Sequence, residues 1–184
     1  MTQSNDLNIS WKAYKTFAKV GVKGKFNEFK YISNAKEGKN FRELLVGSKV
    51  VINKSKIDTN NPSRDKTIVD KFFNQLNSDI SGKIIDIKAD ENKNGKRAYS
   101  GSLDVNITMN EKTLTIPMRY NYKNEKFSAT GVIDIFDFNG QNALSSINKS
   151  CYLLHKGKTW SDVTIRFETN IKASLCNAKI KKVK

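Results

Sequence analysis

Two runs of strict alternation, joined at Asn110-Glu111-Lys112, constrain this chain more than any other stretch. In the first, Tyr99, Gly101, Leu103, Val105, Ile107 and Met109 take every second place, with Ser100, Ser102, Asp104, Asn106 and Thr108 between them. In the second, Leu114, Ile116, Met118, Tyr120 and Tyr122 alternate with Thr113, Thr115, Arg119 and Asn121. A period of two is that of an antiparallel strand with one buried face, and no helix shows it. The three polar residues between the runs suit a hairpin loop, whose type stays open because no Gly is present. A half-buried hairpin needs an opposite wall.

The same period recurs along the chain. Leu7, Ile9 and Trp11 predict a first strand, and Val20, Val22 and Phe26 a second after a break at Thr16. Gly21 and Gly24 lie inside that run, where glycine marks a bulge or a sharp bend of the kind that barrel closure requires. Phe29 and Tyr31 extend the wall, Phe41 to Gly47 is ambiguous, and Val50 and Ile52 share one face of a strand over Lys49 to Ile57. Asn61 and Pro62 open a helix whose stripe is Ile68, Phe72 and Leu76, widened by Val69 and Phe73, which predicts a plug or cover for one end of the sheet. Ile85 and Ile87 mark a further strand, Asn92 to Gly95 a turn, and Phe127 to Ile135 another strand. From Gln141 to His155 the period changes to that of a helix, with Leu144, Ile147, Cys151 and Leu154 on one side and Gly157 placed to end it. Val163, Ile165, Phe167 and Ile171 form the last strand. About eight strands and two short helices, with no alternating βαβ units, predict a mainly β fold: an eight-stranded antiparallel barrel.

At 184 residues, with no Pro/Gly/Ser-rich linker, the chain is read as a single domain. It has 33 Lys and Arg against 18 Asp and Glu, a net charge of +15. That favours anionic surroundings such as lipid head groups or nucleic acid, although lysines spread through every segment also serve solubility. Lys179, Lys181, Lys182 and Lys184 form the one local cluster, at the terminus. No apolar run approaches the roughly 20 residues of a transmembrane helix. Met1 to Asp6 is polar and shows no signal peptide, as in an exported protein whose leader has been removed. Cys151 and Cys176 are too few for a metal site and form no CxxC pair; on this reading they either pair or stay free.

Three segments carry a family resemblance: Val20-Gly21-Val22-Lys23-Gly24-Lys25-Phe26; Ile57-Asp58-Thr59-Asn60-Asn61-Pro62-Ser63-Arg64-Asp65 followed by Phe72-Phe73; and Trp160-Ser161-Asp162-Val163-Thr164-Ile165. Together they resemble the YceI-like family. The resemblance implies a lipocalin-like antiparallel barrel, periplasmic or secreted in bacteria, that holds an isoprenoid quinone, a polyisoprenoid or a related long-chain amphiphile. Two departures stand out: Lys66 follows the Arg64-Asp65 pair where many members have His, and the helical insert Gln141 to His155 is absent from the simplest members. If the protein works in the periplasm, as the resemblance implies, Cys151 and Cys176 form one disulfide.

Catalytic chemistry finds little support. His155 is the only histidine, four residues after Cys151 on the predicted helix, and a core Cys with a rim His is preferred to a Cys-His dyad. Asp58, Asp65 and Asp162 read as cap or turn residues in preference to buried polar anchors, and no Gly-rich phosphate loop is present. The expected function is non-catalytic binding, carriage or storage of a long-chain amphiphile, with no cofactor besides that lipid. The expected cavity wall is Val22, Val50, Ile52, Phe72, Leu103, Val105, Ile107, Leu114, Ile116, Ile133, Val163, Ile165 and Phe167. Arg64 and Asp65 are expected to pair with each other or to hold the ligand's polar group. At about 0.8 kcal/mol per methylene, ten buried carbons supply about 8 kcal/mol, enough for roughly micromolar binding. The alternative is a basic barrel that binds nucleic acid or anionic surfaces, including a membrane, through its exterior. Nucleic acid is disfavoured because Phe26, Phe72, Phe127 and Phe167 fall on apolar faces. A homodimer is left open.

Overall fold

The alternating runs close into an antiparallel barrel. A computed structural model describes residues 1–91 and 99–173; the expected turn at Asn92 to Gly95, Cys176 and the terminal lysines lie outside them. The strands are β1 (Thr2–Lys15), β2 (Val20–Phe26), β3 (Phe29–Ile32), β4 (Lys49–Ile52), β5 (Ile57–Asp58), β6 (Ile80–Ala89), β7 (Ser100–Met109), β8 (Lys112–Lys123), β9 (Lys126–Asp134) and β10 (Asp162–Lys172). All neighbouring pairs are antiparallel, in the order β3-β4-β6-β7-β8-β9-β10-β1-β2-β5.

Ten strands reduce to eight staves. Lys25 pairs with Asp58 and Phe26 with Ile57, then Phe29 with Ile52 and Tyr31 with Val50. Between these sets Asn27 N–H donates to the Lys56 carbonyl (2.8 Å) and Asn53 N–H to the Glu28 carbonyl (3.0 Å). Thus β2 and β3 are one kinked stave, β4 and β5 its partner with extra residues bulged out at 53–56, and the two ends of the sheet order meet. The single strand expected over Lys49 to Ile57 is divided by that bulge.

Four helices are present among the described residues where two were expected: α1 (Phe41–Leu45), α2 (Pro62–Lys71), α3 (Gln141–Ser150) and α4 (Tyr152–His155), with 3-10 turns at Phe73–Gln75 and Ile135–Phe138. The ambiguous stretch is α1, capped by Asn40, whose side chain accepts from Glu43 N–H (2.9 Å). Its Phe41, Leu44 and Leu45 are buried and stop one end of the barrel. Phe41 sits 5.0 Å from Tyr122, 5.2 Å from Phe127 and 5.7 Å from Tyr120, ring centre to ring centre. Burial of each of these side chains contributes about 1.5–3 kcal/mol. Asn61 caps α2 by accepting from Arg64 N–H (3.0 Å), with Pro62 in the first turn, as its sequence predicts. The insert breaks at Cys151 into α3 and α4, and the chain leaves α4 through Lys156 and Gly157, both left-handed (φ 52° and 65°).

The central hairpin turns on two residues: Met109 pairs with Lys112, and Asn110 and Glu111 both have positive φ (51° and 65°). This is the turn form whose twist matches the strands, reached without glycine. Asn110 also ties the tip down, accepting from Asn77 N–H (3.0 Å) and donating to the carbonyls of Phe138 (3.1 Å) and Asn139 (3.0 Å).

Candidate functional site

Inside the barrel lies a cavity of about 520 Å³, within the usual range for small-molecule sites. Its wall is mostly apolar and draws on nearly every stave. Val22, Val50, Ile52, Phe72, Leu103, Val105, Ile107, Ile133, Val163, Ile165 and Phe167, all expected to line a pocket, stand on it. Each strand residue among them is there because alternation turns every second side chain inward.

Leu114 and Ile116 do not line the cavity. Both are on the inner face of β8, Ile116 buried and Leu114 half-buried. The cause is Pro117, which has no N–H to give a neighbouring strand: β8 pairs with β9 only from Met118 onward. The 3-10 turn Ile135–Phe138 packs into the resulting splay, with Phe138 wholly buried.

Residues missed by sequence reasoning complete the wall. Ile84 and Ile80 from β6 line it; the sequence pattern marked that strand by Ile85 and Ile87 and assigned none of its residues to the wall. Ile84 pairs with Val105 and Asp86 with Asp104, so Ile85 is a bulge residue and both Ile84 and Ile87 turn inward. Trp11 and Ala13 line it from β1, Leu144 and Ile147 from α3, Cys151 from the break after it and Leu154 from α4. Gly24 is not a bulge, for β1 and β2 pair in unbroken register there. Its role is space: a Cβ on Gly24 would fall 2.3 Å from Cζ2 of Trp11, so the indole lies across the inner face of β2. Trp11 is 9% exposed, and its indole N–H has no hydrogen-bond partner among the described residues. An unpaired donor in an apolar site costs about 1–3 kcal/mol.

The open end is opposite α1. Polar lining residues cluster there: Asn61, Ser63, Arg64 and Thr67 at the start of α2, Lys15 at the end of β1, and Thr159. Leu154 both lines the cavity and is 83% exposed, so the cavity reaches solvent beside α4.

Arg64 and Asp65 are not paired with each other; both grip Thr59, which is buried. Arg64 Nε donates to Thr59 Oγ1 (2.8 Å) and Nη2 to the Thr59 carbonyl (2.5 Å). Asp65 Oδ1 accepts from Thr59 N–H (2.9 Å) and Oγ1 (2.5 Å). This knot fixes the entry into α2, and only Arg64 of the pair touches the cavity.

For nucleophilic chemistry the site is poorly equipped. Burial pushes the Cys151 thiol up from its ordinary value, with Lys15 opposing the shift, so the thiolate is disfavoured. Among the described residues no three His, Cys, Asp or Glu side chains cluster as metal ligands, and no helix is long and apolar enough to cross a membrane.

The model of the YceI-like domain matches residues 2–171. The chain belongs to the YceI-like family. No curated protein matches it, but solved structures share its fold. BcnA of Burkholderia cenocepacia is 15% identical with a TM-score of 0.58, over 90% of this chain and 96% of its own. A polyisoprenoid binding domain from Saccharophagus degradans, implicated in plant cell wall breakdown, is 12% identical with a TM-score of 0.56, over 90% and 94%. The YceI protein of Campylobacter jejuni is 19% identical with a TM-score of 0.56, over 83% and 86%. At these identities the neighbours show the fold alone, and the family rests on the match over residues 2–171.

Proposed function

We propose that this YceI-like barrel binds and carries or stores a long-chain amphiphile, without chemistry, in the periplasm or outside a bacterial cell. The observation that carries this reading is the apolar cavity of about 520 Å³, stopped by α1 at one end and open beside α4 at the other. A slender hydrocarbon chain fits such a shape, and its affinity comes from burial of methylenes at about 0.8 kcal/mol each. The polyisoprenoid binding of the Saccharophagus degradans neighbour supports an isoprenoid as the chain.

The test is organic extraction of protein purified from its native compartment, followed by mass spectrometry. An intact long-chain amphiphile at near one per barrel supports the reading. An empty barrel that also fails to take up isoprenoid quinones or fatty acids in a fluorescence titration overturns it, and a chemically altered lipid would make the protein an enzyme.

A further inference from the structure

The exterior around the mouth differs from the rest of the surface. Six of the ten exposed large hydrophobic residues among those described are Phe17, Val20, Phe136, Tyr152, Leu153 and Leu154. They converge on one lip. Phe17 and Val20 sit at the turn from β1 to β2, where Thr16 N–H donates to the Lys158 carbonyl (2.8 Å) and Trp160 N–H to the Tyr14 carbonyl (2.9 Å). That segment follows directly on α4, which carries Tyr152, Leu153 and Leu154, and Phe136 and Tyr152 flank one shallow groove. Leu153 is 98% exposed and Phe17 73%, an unfavourable display unless something covers them.

Charge follows the same geography. From Leu7 to Asn27 the sequence has five lysines and no Asp or Glu, and from Phe138 to Ser161 it has three lysines and again none. The fold joins these two acid-free stretches at the bridge between Lys15 and Thr159. Lys19 and Lys158 lie over the Trp160 ring, 4.9 Å and 4.4 Å from its centre, which adds an amphipathic aromatic to the lip. Of the nearest carboxylates, Asp162 is bound by Lys19 (2.8 Å), Asp134 accepts from Phe136 N–H (2.9 Å) and Ser161 Oγ (3.0 Å), and Asp137 lies in the 3-10 turn.

We infer that this lip is a docking surface for an anionic lipid bilayer, which sets the open end of the cavity against the membrane. Aliphatic and aromatic tips enter the head-group and acyl boundary while the surrounding lysines meet lipid phosphates, the pattern of interfacial anchors. Leu153, Leu154 and Val20 offer no ring on which a nucleic-acid base stacks, so the surface suits lipid better than single-stranded nucleic acid. Leu154 belongs to both the lip and the cavity wall, a continuous apolar path between bilayer and barrel. The use of that path for lipid transfer rests on the proposed function, whereas the docking stands on the surface alone.

Vesicle co-sedimentation tests it, with vesicles of phosphatidylglycerol and phosphatidylethanolamine against neutral phosphatidylcholine. The full chain is expected to bind the anionic vesicles, weaken in high salt and bind the neutral ones far less. Phe17→Ser with Leu153→Ser, and separately Lys149→Gln with Lys156→Gln, change exposed residues outside the cavity wall and leave the fold intact. Each lysine is worth about fivefold in partitioning, so the charge pair loses roughly thirtyfold. Equal binding to neutral vesicles, or wild-type binding by both variants, overturns the docking surface, as does tight binding of a single-stranded oligonucleotide with no binding to vesicles. Docking that persists in a protein shown to hold no lipid would sink the cavity reading and leave the docking in place.

Discussion

The most direct test of the cavity is a charge placed on its wall. Val105 lies in mid-β7, paired with Ile84 on one side and Ile116 on the other, and its side chain lines the cavity. In Val105→Asp the carboxylate has only aliphatic neighbours on the adjoining strands. Burial disfavours its charged form and raises its pKa in the folded state. Each unit of that rise corresponds to about 1.4 kcal/mol, so a rise of one to two units destabilises the folded protein by about 1.4–2.7 kcal/mol at neutral pH. The sign is fixed: a raised folded pKa means that the folded state holds the extra proton, so stability recovers as pH falls towards 4 and is lost as pH rises through the shifted value. A long-chain ligand would have to cover the same carboxylate, so affinity is expected to drop by about 100-fold at pH 7.5 and less at pH 5. The control is Val132→Asp, on the outward face of β9 and 59% exposed, which should change neither property appreciably. Fluorescence titration of a long-chain probe and urea melts at the two pH values measure both. Unchanged, pH-independent binding by a folded Val105→Asp protein would refute the assignment of the cavity as the binding site.

Arg64→Ala removes two hydrogen bonds to Thr59 and should cost about 1–3 kcal/mol in a denaturant melt with ligand affinity unaltered; lost affinity at unchanged stability would reassign Arg64 to the ligand. Asn110→Ala should cost about 2–3 kcal/mol, since it strips three hydrogen bonds from a left-handed residue, against about 1 kcal/mol for Asn124→Ala, which has the same backbone form but no side-chain hydrogen bond among the described residues. If the protein is periplasmic, thiol counting under denaturing, non-reducing conditions should find no free thiol because Cys151 and Cys176 are joined; two free thiols would count against the bond and the compartment together.

Strand positions were legible because alternation is a direct imprint of burial on one face, and most wall residues follow from it. Where the structure departs from the pattern, a local event broke the period. At Ile84-Ile85-Ile87 every candidate is isoleucine, so the one-residue bulge that turns Ile84 and Ile87 inward leaves no trace in hydrophobicity. Beyond Pro117 the alternation of Leu114 and Ile116 continues, yet the proline ends pairing with β9 and a turn fills the gap; here the signal was present in the residue type. Gly21 and Gly24 are not the bulges that glycine in a strand can mark; they make room for the Lys12 and Trp11 side chains, whose positions the sequence does not show.

The two ends of the barrel illustrate the harder limit, since what distinguishes them is assembled across the chain. At the stopped end Phe41 is one apolar residue in a five-residue helix, too short to show a period, and its meaning comes from Tyr120, Tyr122 and Phe127, nearly 80 residues and more away in sequence. At the open end the lysines look scattered when counted along the chain. The acid-free stretches 7–27 and 138–161 are visible in the sequence, but only the antiparallel pairing of β1 with β10 brings them side by side. An open meander of the same hairpins would leave the two stretches at opposite edges of the sheet. Closure makes the first and last staves neighbours, and that single non-local pairing puts apolar tips and an excess of positive charge around the mouth through which any ligand must pass.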